Sequence, residues 1–323
     1  MTKESRLGLV AGILLTASVS APGAELVFQS GFEPDSHIVP LGKRGLDGDV
    51  TIKGIDRSVP PPNDWFKDLD NGGFKFHYEY GTYDIQHADI VEEPGTQNHV
   101  LHFFIKGREG RTRKYRVQAN IYRNAFLGSE VTYRVRMKIH PDFNLLKTYP
   151  GKIGWMTIAE FWNNPGWGPH KYPFRAGLSL NKREEGPVEH FYFSSGGQKL
   201  AVDEEGKPTT KWFGPGTLWG ERSDVPIPIG RWFELEVYLL EGDEQHGRLV
   251  VSIREEGGPK QTALDVTNWT LHPKATEQDG WAINPIKIYT HHKHVDHIRQ
   301  NGGALQCYWD DFRLWRGDAR TLQ

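Results

Sequence analysis

Lys114, Arg116, Gln118, Asn120 and Tyr122 occupy every second position of residues 113–122. In an extended chain that spacing puts all five on one face and Tyr115, Val117, Ala119 and Ile121 on the other. A strand with one apolar face normally leaves its second face to water. Here every residue of the polar face can hydrogen-bond a sugar or carboxylate oxygen, so a binding face and an ordinary solvated strand stand level. In residues 157–164, Glu160 and Trp162 share a face, Asn163 follows, and Pro165, Gly166, Trp167, Gly168 and Pro169 form a loop leading to His170. Glu160 lies among Ile158, Phe161 and Trp162, which reads as partial burial. Burial raises a carboxyl pKa unless a cation sits beside it. Glu160 therefore reads as an ion-pair partner of an arginine such as Arg116 or Arg175, or as a general acid/base. Trp162 and Trp167 read as core aromatics or as platforms for a sugar ring. A third segment, residues 284–297, puts Lys287, Tyr289 and His291 on one side by alternation. His291, His292, His294 and His297 follow no zinc spacing, so a solvated or substrate-binding loop is expected there, without a helix.

These segments need a scaffold of strands. In residues 130–140, Val131, Tyr133, Val135, Met137 and Ile139 alternate with polar residues. Phe233, Leu235, Val237 and Leu239 repeat the pattern, and after a turn Leu249, Val251 and Ile253 repeat it again, which predicts a hairpin. Residues 100–106, 174–180, 190–194, 286–290 and 308–315 are further strand candidates. Pro60-Pro61-Pro62 and the pairs Gly72-Gly73, Gly196-Gly197, Gly257-Gly258 and Gly302-Gly303 read as loops between strands. No long helical periodicity and no internal repeat appears. The 36 glycines and 11 tryptophans of the 323 residues suit many turns and flat side chains, as in an all-β protein. Cys307 is the single cysteine, so no intramolecular disulfide forms.

Residues 1–24 have the three parts of a secretory signal peptide: Lys3 and Arg6, an apolar run from Leu7 to Val19, then small residues. The apolar run is too short for a membrane-spanning helix. The expectation is a secreted or periplasmic protein whose residues 25–323 form a single domain. A formal net charge of -2 points to neither nucleic acid nor membrane as partner. A monomer is expected.

Three stretches carry a resemblance. Residues 26–33, from Leu26 to Glu33, look like the opening strand of a concanavalin A-like jelly roll. Ile229-Gly230-Arg231-Trp232 with the following hairpin, and residues 308–315, resemble its paired and closing strands. The resemblance implies an all-β sandwich of two antiparallel sheets. Within that superfamily, the three polar segments resemble jelly-roll polysaccharide lyases of the alginate lyase and heparin lyase I-like group. Arg116 and Gln118 fall where that group has an R-x-E-x-R-like strand, Glu160 and Trp162 where it has Q-x-H, and Lys287 and Tyr289 where it has K-x-G-x-Y. Glu160 replaces the glutamine, Trp162 replaces the histidine, and the last strand lacks the glycine; His170 or His291 would have to stand in for the histidine.

The resemblance implies β-elimination on an acidic, uronate-containing polysaccharide. Arg116, Gln118 and Asn120 would stabilise the developing charge, and Tyr289, beside Lys287 or His291, would carry the proton, with no metal or cofactor at the reaction centre. Lys114, Asn120, Tyr122, Trp162, Asn163, Trp167 and His170 would hold the substrate. Glu33 with Asp310 and Asp311 would supply oxygens for a structural calcium. Two other readings stay open. A glycoside hydrolase would use Glu160 with a second carboxylate, which the sequence does not place. A non-catalytic carbohydrate-binding protein would line its groove with Trp65, Trp162, Trp167, Trp212 and Trp219.

Overall fold

The computed structural model describes residues 23–33, 35–41, 49–69, 74–79, 83–93, 95–107, 113–121, 128–163, 171–210, 216–275 and 282–322. Most of the expected signal segment lies outside them. Among the described residues, no helix is long and apolar enough to cross a membrane.

Two antiparallel sheets form the sandwich. The eight-stranded sheet runs Gln261–Thr267, Arg248–Glu255, Trp232–Leu240, Glu130–Ile139, Leu305–Arg316, His99–Ile105, Gln86–Glu92, with Glu25–Ser30 also paired to Leu305–Arg316. The ten-stranded sheet runs Thr217–Pro226, Tyr192–Lys199, Phe174–Asn181, Met156–Asn163, Lys287–His291, Lys114–Asn120, Lys75–Glu79, Val50–Lys53, His37–Pro40, with Ala282–Asn284 paired to Met156–Asn163. The jelly-roll sandwich implied by the resemblance is the fold observed. Period-two alternation builds its core: Val135, Leu235, Val237 and Trp309 from one sheet and Val117, Ile158, Leu178 and Ile288 from the other are all buried. The predicted hairpin forms, with Val237 opposite Val251.

Three features depart from the sequence reading. Gly196 and Gly197 lie inside the strand Tyr192–Lys199 and not in a loop. The histidine run after Tyr289 is an α-helix, His292–Gln300. Glu236, which alternation with Leu235 and Val237 sets on the outward face, is nevertheless buried with Arg134. Arg134 Nε donates to Glu236 Oε2 at 2.7 Å, and its Nη2 donates to the carbonyls of Ala319 and Leu322 at 2.7 and 2.6 Å. The end of the chain thus covers this part of the sheet.

Candidate active site

The outward face of the ten-stranded sheet gathers the polar residues. Tyr115, Val117 and Ala119 point into the core, so Lys114, Arg116, Gln118 and Asn120 point away from it. Antiparallel pairing sets Tyr289 opposite Arg116, Lys287 opposite Gln118 and His291 opposite Lys114. The Arg116 guanidinium lies over the Tyr289 ring, 4.2 Å from its centre. Lys287 and Lys114 place their Nζ atoms 5.2 and 5.5 Å from the same centre. All three fall within the range of cation–π attraction. Trp155 meets Tyr289 edge to face at 4.8 Å and fixes the ring from another side. Tyr289 is held by packing, with three cations around it.

Glu160 reaches this face through a β-bulge. The register shifts between Thr157 and Ala159, so Ile158 and Ala159 both enter the core. Thr157 and Glu160 then face the same way. Glu160 accepts a hydrogen bond from Lys287 Nζ at Oε2 and from Arg175 Nη1 at Oε1, the latter at 3.4 Å. Burial alone would push the Glu160 carboxyl up, but Lys287 and Arg175 beside it hold it below the usual carboxylate range. Burial pushes the Lys287 ammonium down from 10.5 to about 8, with Arg116 and Arg175 adding to the effect and Glu160 opposing it. Glu160 is therefore an anion that anchors two cations, the ion-pair role of the two read from sequence. It has no proton to donate at neutral pH.

A trough of about 300 Å³ opens beside this cluster, lined by Trp155, Thr157, Glu160, Arg175, Ser179 and Ser194 among others. Glu160 pairs with Gly177, Gly177 with Gly196, and Gly196 with Gly220 across four strands. Three glycines in one row leave the backbone bare beside the carboxylate. A Cβ on Gly177 would meet only the Thr157 methyl, at 4.0 Å. Glu160 is the one carboxylate among the described residues lining the trough.

Several expected contacts are internal instead. Gln118 and Asn120 are 1% and 0% exposed. Gln118 Nε2 and Asn284 Nδ2 both donate to Asn120 Oδ1, at 2.6 and 2.7 Å, and Trp162 Nε1 donates to Asn284 Oδ1 at 2.9 Å. The chain of amides ties three strands together, because a buried amide without partners is costly. Gln118, Asn120 and Trp162 thus position the floor and do not present donors or a stacking face to a ligand. Trp65 is buried among Phe28, Phe32, Phe74 and Phe312, and Trp219 donates to the Trp269 carbonyl at 2.6 Å. Neither lines a sugar groove. Tyr122, Trp167, His170 and Trp212 lie outside the described residues, as does the side chain of Asn163.

His291 ends its strand as the N-cap of the helix, accepting from Lys293 N at Nδ1. It stands at the rim of the site, 6.1 Å from the Trp155 ring centre. Burial and then the neighbouring His292, Lys293 and Arg113 push its pKa down, which marks a locally positive rim. His294 is buried against Thr290 Oγ1 at 2.8 Å, and His297 Nε2 donates to the Leu145 carbonyl at 3.2 Å. His297 docks the helix on the 3₁₀ turn Pro141–Thr148, and His294 ties it back to the strand Lys287–His291. Among the described residues, no group of three or more His, Cys, Asp or Glu side chains is placed to hold a metal ion.

Burial pushes both His294 and His102 down to about 4. An unfolded chain binds these protons near the ordinary 6.5. Below that value the unfolded state holds more protons than the folded one, so stability is lost as pH falls from about 6.5 towards 4. Chemical denaturation at stepped pH should show the decline beginning above the carboxylate range; a flat stability from pH 7 to 5 would contradict it.

The acids expected to hold calcium do draw near one another. Asp56 and Asp311 both push Glu33 up, after burial itself, and Gly31 lies close to Asp310 and Glu33. Asp310 already accepts from Asn98 Nδ2 at 2.9 Å, Arg136 Nη1 at 3.1 Å and Asp311 N at 2.8 Å. A fall in melting temperature of several degrees on chelation would place calcium among these acids, and an unchanged melting temperature would count against it.

The sequence reading missed Trp155, Thr157 and the pair His77–Asp49. His77 shares the outward face, opposite Gln118. Its Nδ1 lies 2.9 Å from Asp49 Oδ1, and Lys75 Nζ lies 2.5 Å from Oδ2. Partial burial pushes Asp49 up, and the hydrogen bonds from His77 and Lys75 more than reverse it, so Asp49 is an anion. Alternation of Phe74, Phe76 and Tyr78 with Lys75 and His77 was the available signal.

No protein family matches the chain, and no curated relative does. Similar solved structures include an endo-β-1,4-glucuronan lyase from the fungus Trichoderma reesei, at 12% identity and a TM-score of 0.43, covering 71% of this chain and 86% of that one. A marine PL-14 alginate lyase from Aplysia kurodai aligns at 9% identity and 0.44, covering 70% and 86%. A pseudo β-1,3-glucanase of Mycobacterium tuberculosis aligns at 13% and 0.32, covering 91% and 99%. All three likenesses are loose.

Proposed function

We propose that the chain is an exported polysaccharide lyase that cleaves a uronate-containing polymer by β-elimination. The observation that carries this reading is Tyr289, fixed by Trp155 with Arg116, Lys114 and Lys287 around its ring. Elimination from a uronate needs two things. The carboxylate must be neutralised so that the C5 proton becomes acidic, and a proton must leave C5 while one reaches the departing O4. Arg116 is placed to meet the carboxylate, and a fixed cation is worth most where water is excluded. The Tyr289 hydroxyl carries a proton between enzyme and substrate. Glu160 keeps Lys287 and Arg175 in place, and the glycine-floored trough gives the next sugar a flat bed.

The hydrolase reading fits poorly. Hydrolysis needs two carboxyl groups across the scissile bond, one of them protonated. Glu160 is held as an anion, and the described trough contains no second carboxylate. The test is a panel of anionic polysaccharides followed by ultraviolet absorbance of the conjugated uronate product. Rising absorbance with at least one uronate polymer is the expected result. New reducing ends without absorbance would establish hydrolysis instead, and binding without any product would establish a lectin.

A further inference from the structure

We propose that Arg222, on the edge strand Thr217–Pro226, grips a uronate carboxylate about four sugars away from the one at Tyr289. The inference rests on the elimination reading above and adds the path of the polymer and a remote determinant of chain length. Register carries the argument. Tyr289 pairs with Thr157, Thr157 with Ser179, Ser179 with Ser194, and Ser194 with Arg222. Directly opposed residues of antiparallel strands share a face, so these five form one row across five strands. Leu178, Leu180 and Phe193, the sequence neighbours of Ser179 and Ser194, are buried in the core, so the row points outward.

The row lies in a channel that crosses the strands. Between Tyr289 and Arg222 it offers only the hydroxyls of Thr157, Ser179 and Ser194, and the row Gly177, Gly196, Gly220 runs beside it. Beyond the glycines, Arg175 Nε donates to Gln198 Oε1 at 2.7 Å and Gln198 Nε2 to Thr217 Oγ1 at 3.3 Å. Beyond the hydroxyls, the Arg183 guanidinium lies over the Tyr192 ring, 4.4 Å from its centre. Small side chains thus run between two lines of larger ones. The trough described above covers Met156–Asn163, Phe174–Asn181 and Tyr192–Lys199, and Arg222 stands on the next strand.

A polymer in this channel meets one strand after another. Neighbouring strands lie about 4.8 Å apart, close to the advance of one 1,4-linked pyranose, so each strand underlies about one sugar. Tyr289 and Arg222 are four spacings apart, about 19 Å. The hydroxyls and bare glycines between them bring no charge, and Glu160 is spent on Lys287 and Arg175. Arg222 is therefore the next cation along the row. It is exposed and has no carboxylate partner among the described residues. Asp224 is taken by Arg183 at 2.9 Å, and alternation sets Glu221 on the other face. A guanidinium fork matches a carboxylate with two parallel hydrogen bonds.

The experiment compares Arg222→Ala, Arg222→Glu and Arg222→Lys with the parent on uronate oligomers of graded length. In the parent, kcat/KM should rise once the oligomer is long enough to span the row. Arg222→Ala should remove about fivefold to tenfold of that rise, through KM, since an exposed ion pair is a modest contact. Arg222→Glu should remove more, and Arg222→Lys should keep part of it. High salt should erase the parent's advantage on long oligomers, because exposed charges are screened. An Arg222→Ala length profile that superimposes on the parent's overturns the proposal. So does a loss equal at every length, which would come from the fold or the reacting centre. Calorimetric binding of the same oligomers to Tyr289→Phe, with and without Arg222→Ala, separates the two readings. If no oligomer gives product, but long ones bind more weakly once Arg222 is gone, elimination falls and the grip stands. If product forms with an unchanged length profile, this inference alone falls. If no oligomer binds, both fall.

Discussion

Tyr289→Phe should lower kcat on the responsive uronate polymer by about 10²–10⁴-fold, the usual worth of a positioned proton carrier. KM should stay close to that of the parent, because the ring and its cation contacts remain. The reason lies in how little the substitution disturbs. Trp155 still meets the ring edge to face, and Arg116 still lies over it. Only the hydroxyl is gone, so the melting temperature should hold. Arg116→Ala should differ in kind. It removes the cation that meets the substrate carboxylate, and kcat/KM should fall by at least about 10²-fold through both terms. Steady-state absorbance assays on the two purified variants check both results. Near-parental rates in Tyr289→Phe would remove the tyrosine from the chemistry.

Glu160→Leu should be the most destabilising single change at the site. Lys287 is 1% exposed, and it would keep its charge without its carboxylate. Breaking one half of a buried pair costs about 3–5 kcal/mol. The cost has a ceiling, because the lysine can give up its proton instead. Neutralising a lysine of ordinary pKa at pH 7 takes about 5 kcal/mol. The pH dependence follows in sign. With Lys287 already pushed down to about 8 in the folded parent, loss of Glu160 pushes it further. The unfolded variant then binds a proton that the folded variant lacks, so its stability recovers as pH rises from 7 towards 10. Glu160→Leu combined with Lys287→Met should regain most of the lost stability without regaining activity. Denaturant melts at pH 7 and pH 9 check all three statements, and a single variant as stable as the parent would show that the pair is not buried in solution.

The strands were legible because their alternation was clean. Glu130–Ile139 and Trp232–Leu240 put Val, Tyr, Met, Leu and Phe at every second place, and all of those are buried, although Thr132, Arg134, Glu236 and Tyr238 between them are buried as well. Arg116, Lys287 and Tyr289 were legible for the same reason, since two alternating strands had to bring them to one face. What alternation cannot say is whether an outward side chain meets water or another side chain. Gln118 and Asn120 have the pattern of a binding face, but Asn284 and Trp162 close over them. The partners lie more than forty residues from either amide, so no local pattern announces them. His77 was hidden in the same way, because the Asp49 that orients it is 28 residues distant. The helix His292–Gln300 was masked by its own histidines. Only Val295 and Ile298 mark its apolar side, too few for a period to stand out. Gly196 and Gly197 read as a turn because paired glycines usually mark one. Here a strand uses Gly196 as part of the bare row beside Glu160 and Gly197 to admit the Trp219 ring.

The strand Leu305–Arg316 sits between Glu130–Ile139 and His99–Ile105 and also pairs with Glu25–Ser30. It follows all its sheet partners in the sequence and stands in the interior of the sheet. Two halves of that sheet must therefore wait, with their edges unpaired, until this strand has been made. A ribosome-bound chain in that condition has no finished sandwich to unfold, whichever compartment it is bound for. The price is that exposed edges invite wrong pairing in the interval. Assembly of the eight-stranded sheet is thus timed by Leu305–Arg316, the twelve residues that act as its keystone.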